Sequence, residues 1–366
     1  MIFLRLFLVI ACIGPLLGCS SSPDEGDGAA DAAGNGGSGA AEGMVDSGGQ
    51  GGTAQADSGP MIDSGTPTQD MAIPTFDGAA VRDAVARDMA MPVLDGATVR
   101  DAVAQDMAVF PAAPCGDNCP ELDFVAITGG EFQMGSNELG PQEQPVHPVN
   151  ISNFELMRAE VTVAQYRACV TANACHPPGC SDFNTIGRLI LCNYSQNRDD
   201  HPVNFVSWIN AQQFAAWASA RLPSESEWEY AARSQGQNIT YPWGDDEPTC
   251  DHAEFDPGDD SCGANGTSPV CTHAAGHSAQ GVCDLVGNVY EWTQDEWHLT
   301  YEGAPDDGSS WGEDANNGAG RITRGGSWGA IGINIQAANR GGYEARRRDA
   351  FGGFRLARSL PDSGGD

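Results

Sequence analysis

The chain contains no lysine: its 18 basic residues are all arginine, against 50 Asp and Glu, and the formal charge is −32. Without a lysine amine there is no residue for a Schiff base and no lysine general base. A surface this acidic repels phosphate backbones, which excludes nucleic acid as a partner. Cysteine is absent beyond Cys283 and histidine beyond His298, so the C-terminal part offers neither thiol nor imidazole. Residues 20–114 are nearly free of aromatics, and all eight Trp lie beyond Cys115. The apolar run from Leu6 to Leu17 is too short for a comfortable membrane span.

What is there at the N-terminus reads as an export signal. Arg5, the apolar run and a small residue before Cys19 make residues 1–18 a signal peptide. Leu16-Leu17-Gly18-Cys19 resembles a bacterial lipobox, which implies that Cys19 becomes the acylated N-terminus. Several acyl chains would hold such a protein to a membrane. Ser20 carries no acidic retention signal, so the expected location is the outer membrane. Residues 19–114, rich in Gly, Ala, Ser, Asp and Pro, cannot bury enough apolar surface to order themselves. Asp-Met-Ala recurs at Asp70, Asp88 and Asp106, a period of 18, which reads as a duplicated spacer.

Setting aside Cys12 and Cys19, ten cysteines remain in local clusters: Cys115/Cys119, Cys169/Cys175, Cys180/Cys192, Cys250/Cys262 and Cys271/Cys283. An even number in an exported chain points to disulfides. Neighbour pairing would close small loops, but spacing alone leaves the connectivity open. The irregular spacings argue against zinc.

Residues 115–360 form the globular part, followed by a 361–366 tail. FVAITGG (Phe124–Gly130) and VNISNFELMRAEVTV (Val149–Val163) read as strands. VSWINAQQFAAWASA (Val206–Ala220) has helical spacing, and SESEWEYAAR opens with a capping box in which Ser224 caps and Glu227 reaches back. Trp208, Trp217 and Trp228 read as core. RGGSWGAIGINIQ (Arg324–Gln336) reads as a shaped loop feeding a buried strand, and the chain beyond Tyr241 as mostly loops. The class is α+β with a high irregular fraction.

Several segments carry a resemblance: GGEFQMGS (Gly129–Ser136), EVTVAQYRACV (Glu160–Val170), HPVNFVSW (His201–Trp208), RLPSESEWEYAAR (Arg221–Arg233), YPWGDD (Tyr241–Asp246), DLVGNVYEW (Asp284–Trp292), RGGSW (Arg324–Trp328) and GGFRLAR (Gly352–Arg358). In this order they resemble the sulfatase-modifying-factor family, which includes the formylglycine-generating enzyme. The resemblance implies a variant of the C-type-lectin-like fold. It also implies a copper ion held by two cysteine thiolates, whose positions fall on Ala330 and Ile335 without a gap. Thiolates suit Cu(I) and the residues present do not, so no copper is expected. Family members bind calcium through residues that match Asp284, Gly287, Val289 and Glu291, with Asp284 where the enzyme has Asn. Mixed carbonyl and carboxylate ligation suits calcium; the competing reading is a turn with Glu291 solvated. A second calcium site would involve Glu254 and the Asp256–Asp260 cluster. Iron-dependent relatives draw histidines from a helical domain that has no counterpart here.

Other motifs are weaker. Gly325-Gly326-Ser327-Trp328-Gly329 fits a nucleophile elbow, but no His follows the serine and no helix is expected after it. His273 and His277 stand four apart, with Gly276 between them favouring a loop. Arg340, Arg346, Arg347, Arg348, Arg355 and Arg358 could receive a carboxylate or sulfate, or pair with internal acids. Ser327, Tyr290 and Trp328 form the candidate pocket. The expected function is a calcium-stabilised binding or structural module for an exported protein or glycan. The alternative is an enzyme of the same family using other chemistry on such a target.

Overall fold

Short alternating runs build the first sheets. In β2 (Gly130–Met134), Glu131 and Gln133 face outward while Phe132 and Met134 are buried, as a pleated strand with one dry face requires. It pairs antiparallel with β3 (His147–Ile151). β1 (Phe124–Ile127) pairs with β4 (Phe154–Met157), whose other edge takes β9 (Ala357–Ser359) from near the C-terminus. This is a computed structural model, and it describes residues 113–360 apart from 117–118, 181–190, 259–261, 263–265 and 313–319. The segment expected to be a signal peptide, Cys19, the repeat-bearing stretch up to residue 112 and the residues from 361 to 366 lie outside the described residues.

The Val149–Val163 stretch holds two strands, and its end is not strand. Thr162 accepts from the Gln165 amide while Gln165 reaches back, and this capping box starts α1 (Val163–Thr171). The β-branched Val161-Thr162-Val163 hides that start, because the cap lies in the third residue beyond Thr162. α2 (Trp208–Trp217) begins at a Ser207–Asn210 box and α3 (Glu225–Ala232) at the expected Ser224–Glu227 box. Glu227 also receives a fork from Arg221 at 2.6 and 2.7 Å.

The helices seat the core. Trp208, Trp217 and Trp228 are all buried, and truncating such a ring to Ala costs roughly 3–5 kcal/mol. Tyr166 of α1, Phe214 of α2 and Phe354 pack ring against ring at 5.6–6.3 Å.

The region beyond Tyr241 is more ordered than expected. It supplies a four-stranded sheet, β7-β6-β5-β8, from Arg340–Tyr343, Arg321–Arg324, Tyr290–Glu296 and Gly352–Gly353. RGGSWGAIGINIQ, however, does not feed a buried strand. After β6, Gly325 and Gly326 turn at φ 90° and 67°, and Gly332–Ile335 forms a 3-10 turn. Ile331 and Ile333 are 51% and 54% exposed, while Ile335, the third isoleucine of this segment, is buried.

Candidate functional site

The DLVGNVYEW segment is a strained turn leading into β5. Asp284, Gly287 and Asn288 all sit at positive φ (53°, 79° and 52°). Gly287 has no alternative: a Cβ there would lie 2.5 Å from the Glu254 carbonyl oxygen. Asn288 locks the turn in place. Its backbone N–H donates to Glu254 O at 2.8 Å, its Oδ1 accepts from the Ser268 amide at 3.0 Å, and its Nδ2 donates to Glu160 Oε1 at 3.1 Å.

Glu291 is 1% exposed, so the solvated alternative does not hold. Arg355 grips it with two bonds of 2.7 Å, and the Trp228 indole adds a third at 2.9 Å. The same guanidinium donates to the carbonyls of Cys283 and Asp284 at 2.9 and 3.2 Å. Asp284 accepts from the Cys271 amide.

Glu160 joins these groups, and the sequence reading missed it. It is fully buried, and its Oε2 has no hydrogen-bond partner among the described residues. Burial, then the Asp284 charge, pushes its carboxyl well above the ordinary range. Burial likewise raises Asp284 and Glu291, though Arg355 pulls both back. Three carboxylates thus share one guanidinium, and one buried oxygen is unspent. An orphaned buried acceptor in such a setting calls for a cation or a proton. The residues therefore fit a hard, oxygen-seeking divalent ion. Glu291 could give it only the lone pairs that Arg355 and Trp228 leave. An acid directly before the Val161-Thr162-Val163 run was the available signal for Glu160.

For copper the residues do not fit. Ala330 and Ile335 carry no donor atom, and Ile335 packs with Tyr241, Phe255 and Val286. The ten cysteines pair neighbour to neighbour: Cys115–Cys119, Cys169–Cys175, Cys180–Cys192, Cys250–Cys262 and Cys271–Cys283. A disulfide sulfur is not a thiolate ligand. The cluster of Cys271, His277 and Cys283 is disqualified the same way. His273 and His277 flank a three-residue 3-10 turn, Ala274–Gly276, not a helix.

The candidate pocket of Ser327, Tyr290 and Trp328 is filled. Tyr290 donates to Asp349 at 2.8 Å and stacks on Tyr343 at 5.2 Å. Trp328 donates to the Ala350 carbonyl at 3.2 Å and stacks on Phe351 at 4.6 Å. Ser327 is buried, and its carbonyl accepts from the Ala330 amide. No α-helix follows it among the described residues, and the chain there forms a 3-10 turn instead of the helix an elbow needs. Three of the arginines are taken up by internal acids: Arg340 pairs with Glu225, Arg347 with Asp349 and Arg355 with Glu291; Arg346 is exposed, and Arg358 lies over the Phe124 ring at 3.9 Å. Of the residues expected at a second calcium site, Glu254 is buried and accepts from Ser268, while Asp259 and Asp260 lie outside the described residues.

Comparison with known proteins places these observations. Residues 111–360 match the model of the sulfatase-modifying factor enzyme 1-like domain. The formylglycine-generating enzyme of Mycobacterium tuberculosis is 32% identical over 226 residues, covering 48% of this chain and 75% of that protein. The hercynine oxygenase of Mycolicibacterium smegmatis is 30% identical over 266 residues, covering 64% of this chain but only 60% of the oxygenase. Among solved structures, PvdO from Pseudomonas aeruginosa aligns with a TM-score of 0.54 and 29% identity, over 66% of this chain and 95% of PvdO.

Proposed function

Because the chain belongs to the sulfatase-modifying factor enzyme 1-like domain family, we propose that it is a member without the copper oxidase chemistry: a calcium-stabilised binding or structural module. Its relatives carry different activities in their names, so membership alone does not select one. The observation that carries the reading is the state of sulfur. All ten domain cysteines are paired, and the loop after Gly325-Gly326-Ser327 holds Ala330 and Ile335 where two thiolates would stand. Neither the methyl group of Ala330 nor the sec-butyl group of Ile335 can bind Cu(I).

Calcium, in this reading, occupies the carboxylate cluster around Asp284, with the Gly287 and Val289 carbonyls and Glu291 as the other ligands. Its role there is charge balance and rigidity. The lipobox supports an exported protein anchored through Cys19, in the outer membrane, facing an exported protein or glycan. Competition with a Cu(I) chelator tests the central point. The native protein should take no copper from it; withdrawal of one equivalent would contradict the reading.

A further inference from the structure

A cleft of ~710 Å³ opens between β2 and the chain that follows α3. That volume lies within the range of about 300–1,000 Å³ typical of small-ligand sites. Glu131 and Gln133 line it from the outward edge of β2, Asn137 and Glu138 from the loop after it, and Asn238 and Asp245 from the far side.

The two walls are tied together from beneath. Arg233, at the end of α3, donates to the Gly135 carbonyl on one wall and to the Ile239 carbonyl on the other, both at 2.9 Å. Its Nε donates to Glu229 at 2.8 Å, and the Gly135 amide donates to the same carboxylate at 2.9 Å. Gly236, at φ 73°, passes where a Cβ would sit 2.5 Å from that of Phe132. Thr240 is held by two bonds of 2.9 Å to Asp245. Such a cleft is formed before any ligand arrives, which lowers the ordering cost of binding.

Its chemistry selects among ligands. Three of the five N–H groups of Arg233 go to buried Glu229 and two carbonyls, and its charge is paired with Glu229, while Glu131, Glu138 and Asp245 repel an anion. An apolar ligand would dehydrate these carboxylates without replacing their hydrogen bonds. A cationic amine would serve the carboxylates but leave amide N–H donors facing more donors. The side chains of Gln133, Asn137 and Asn238 make no hydrogen bond to another described residue. Amides beside carboxylates are satisfied together only by groups that both donate and accept, which hydroxyls do.

We propose that this cleft binds a neutral, hydroxyl-rich ligand, an uncharged oligosaccharide. The proposal rests on the reading of the domain as a binding module. The full-length lipoprotein in detergent micelles is tested on an array of uncharged, amino-substituted and sulfated oligosaccharides, and the strongest uncharged ligand is then titrated by calorimetry. Retention of uncharged sugars is expected. The Gln133→Ala/Asn238→Ala double variant, altered only at exposed positions, should melt like the wild type and bind about tenfold more weakly, as two lost neutral hydrogen bonds imply. Ile331→Ser, outside the cleft, should bind normally. Retention of no uncharged sugar, preference for sulfated ones, or undiminished binding by the double variant overturns the proposal. The same preparation is assayed for oxidation of a cysteine peptide. A negative array with no oxidation removes only the sugar ligand, whereas oxidation removes the binding-module reading itself.

Discussion

Arg355 and Glu291, 64 residues apart in the chain, face each other through two bonds of 2.7 Å with both side chains essentially dry. The pair joins the GGFRLAR ending to the DLVGNVYEW turn. Removing one partner of a buried ion pair strands the other, at a cost of roughly 3–5 kcal/mol. Glu291→Gln should lower the unfolding free energy by about that much in chelator, and by more in calcium because a calcium ligand is weakened as well, as measured by urea denaturation. A loss below ~1 kcal/mol would show the pair to be dispensable.

Calcium should raise the melting temperature over chelator. A ligand at a hundredfold its dissociation constant adds about 2.7 kcal/mol, or roughly 5–10 °C for a domain of this size. Asp284→Ala should remove most of that difference, whereas Asp284→Asn, which keeps the oxygen, should retain part of it. Identical wild-type curves in calcium and chelator would show that the cluster takes no calcium. Glu160→Gln probes the unspent Oε2 in the same assay and should also shrink the response.

Much of this architecture was legible locally. The Ser224–Glu227 box marks the start of α3, and the clustered cysteines anticipate the short disulfide loops. Features that depend on distant partners were not. Nothing near Tyr290 announces that Asp349 and Tyr343 fill the space around it, nor does anything near Glu160 announce Asn288. Ile331 and Ile333 look like core by composition, yet the glycines on either side allow a 3-10 turn that leaves both in solvent.

Asp295 provides a pH test away from the Asp284 carboxylate cluster. Burial, and then the Glu225 charge, push its carboxyl up to about 7 from 3.8. The folded state therefore keeps this proton to higher pH than the unfolded chain. Its contribution to stability is full below 3.8 and is lost as pH climbs toward 7. A carboxyl carbon NMR titration should give a midpoint near 7, and Asp295→Asn should flatten the stability profile across that window. A midpoint near 4 would show the group to be solvated.

Anchoring is read by mass spectrometry of the membrane fraction. The expected mature N-terminus is a lipid-modified Cys19. A soluble mature form starting elsewhere would contradict the lipobox reading.

Copper oxidase chemistry turns on sulfur, and its most direct test is catalytic. The protein, supplied with copper and oxygen, is offered a sulfatase-derived peptide containing the target cysteine, beside a genuine formylglycine-generating enzyme as positive control. Peptide mass is followed with time. With Ala330 and Ile335 in place of thiolates and every domain cysteine in a disulfide, the expected result is no conversion of cysteine to aldehyde above copper alone. Turnover-dependent formation of the aldehyde well above that background would contradict the assignment of this chain as a non-oxidase member of its family.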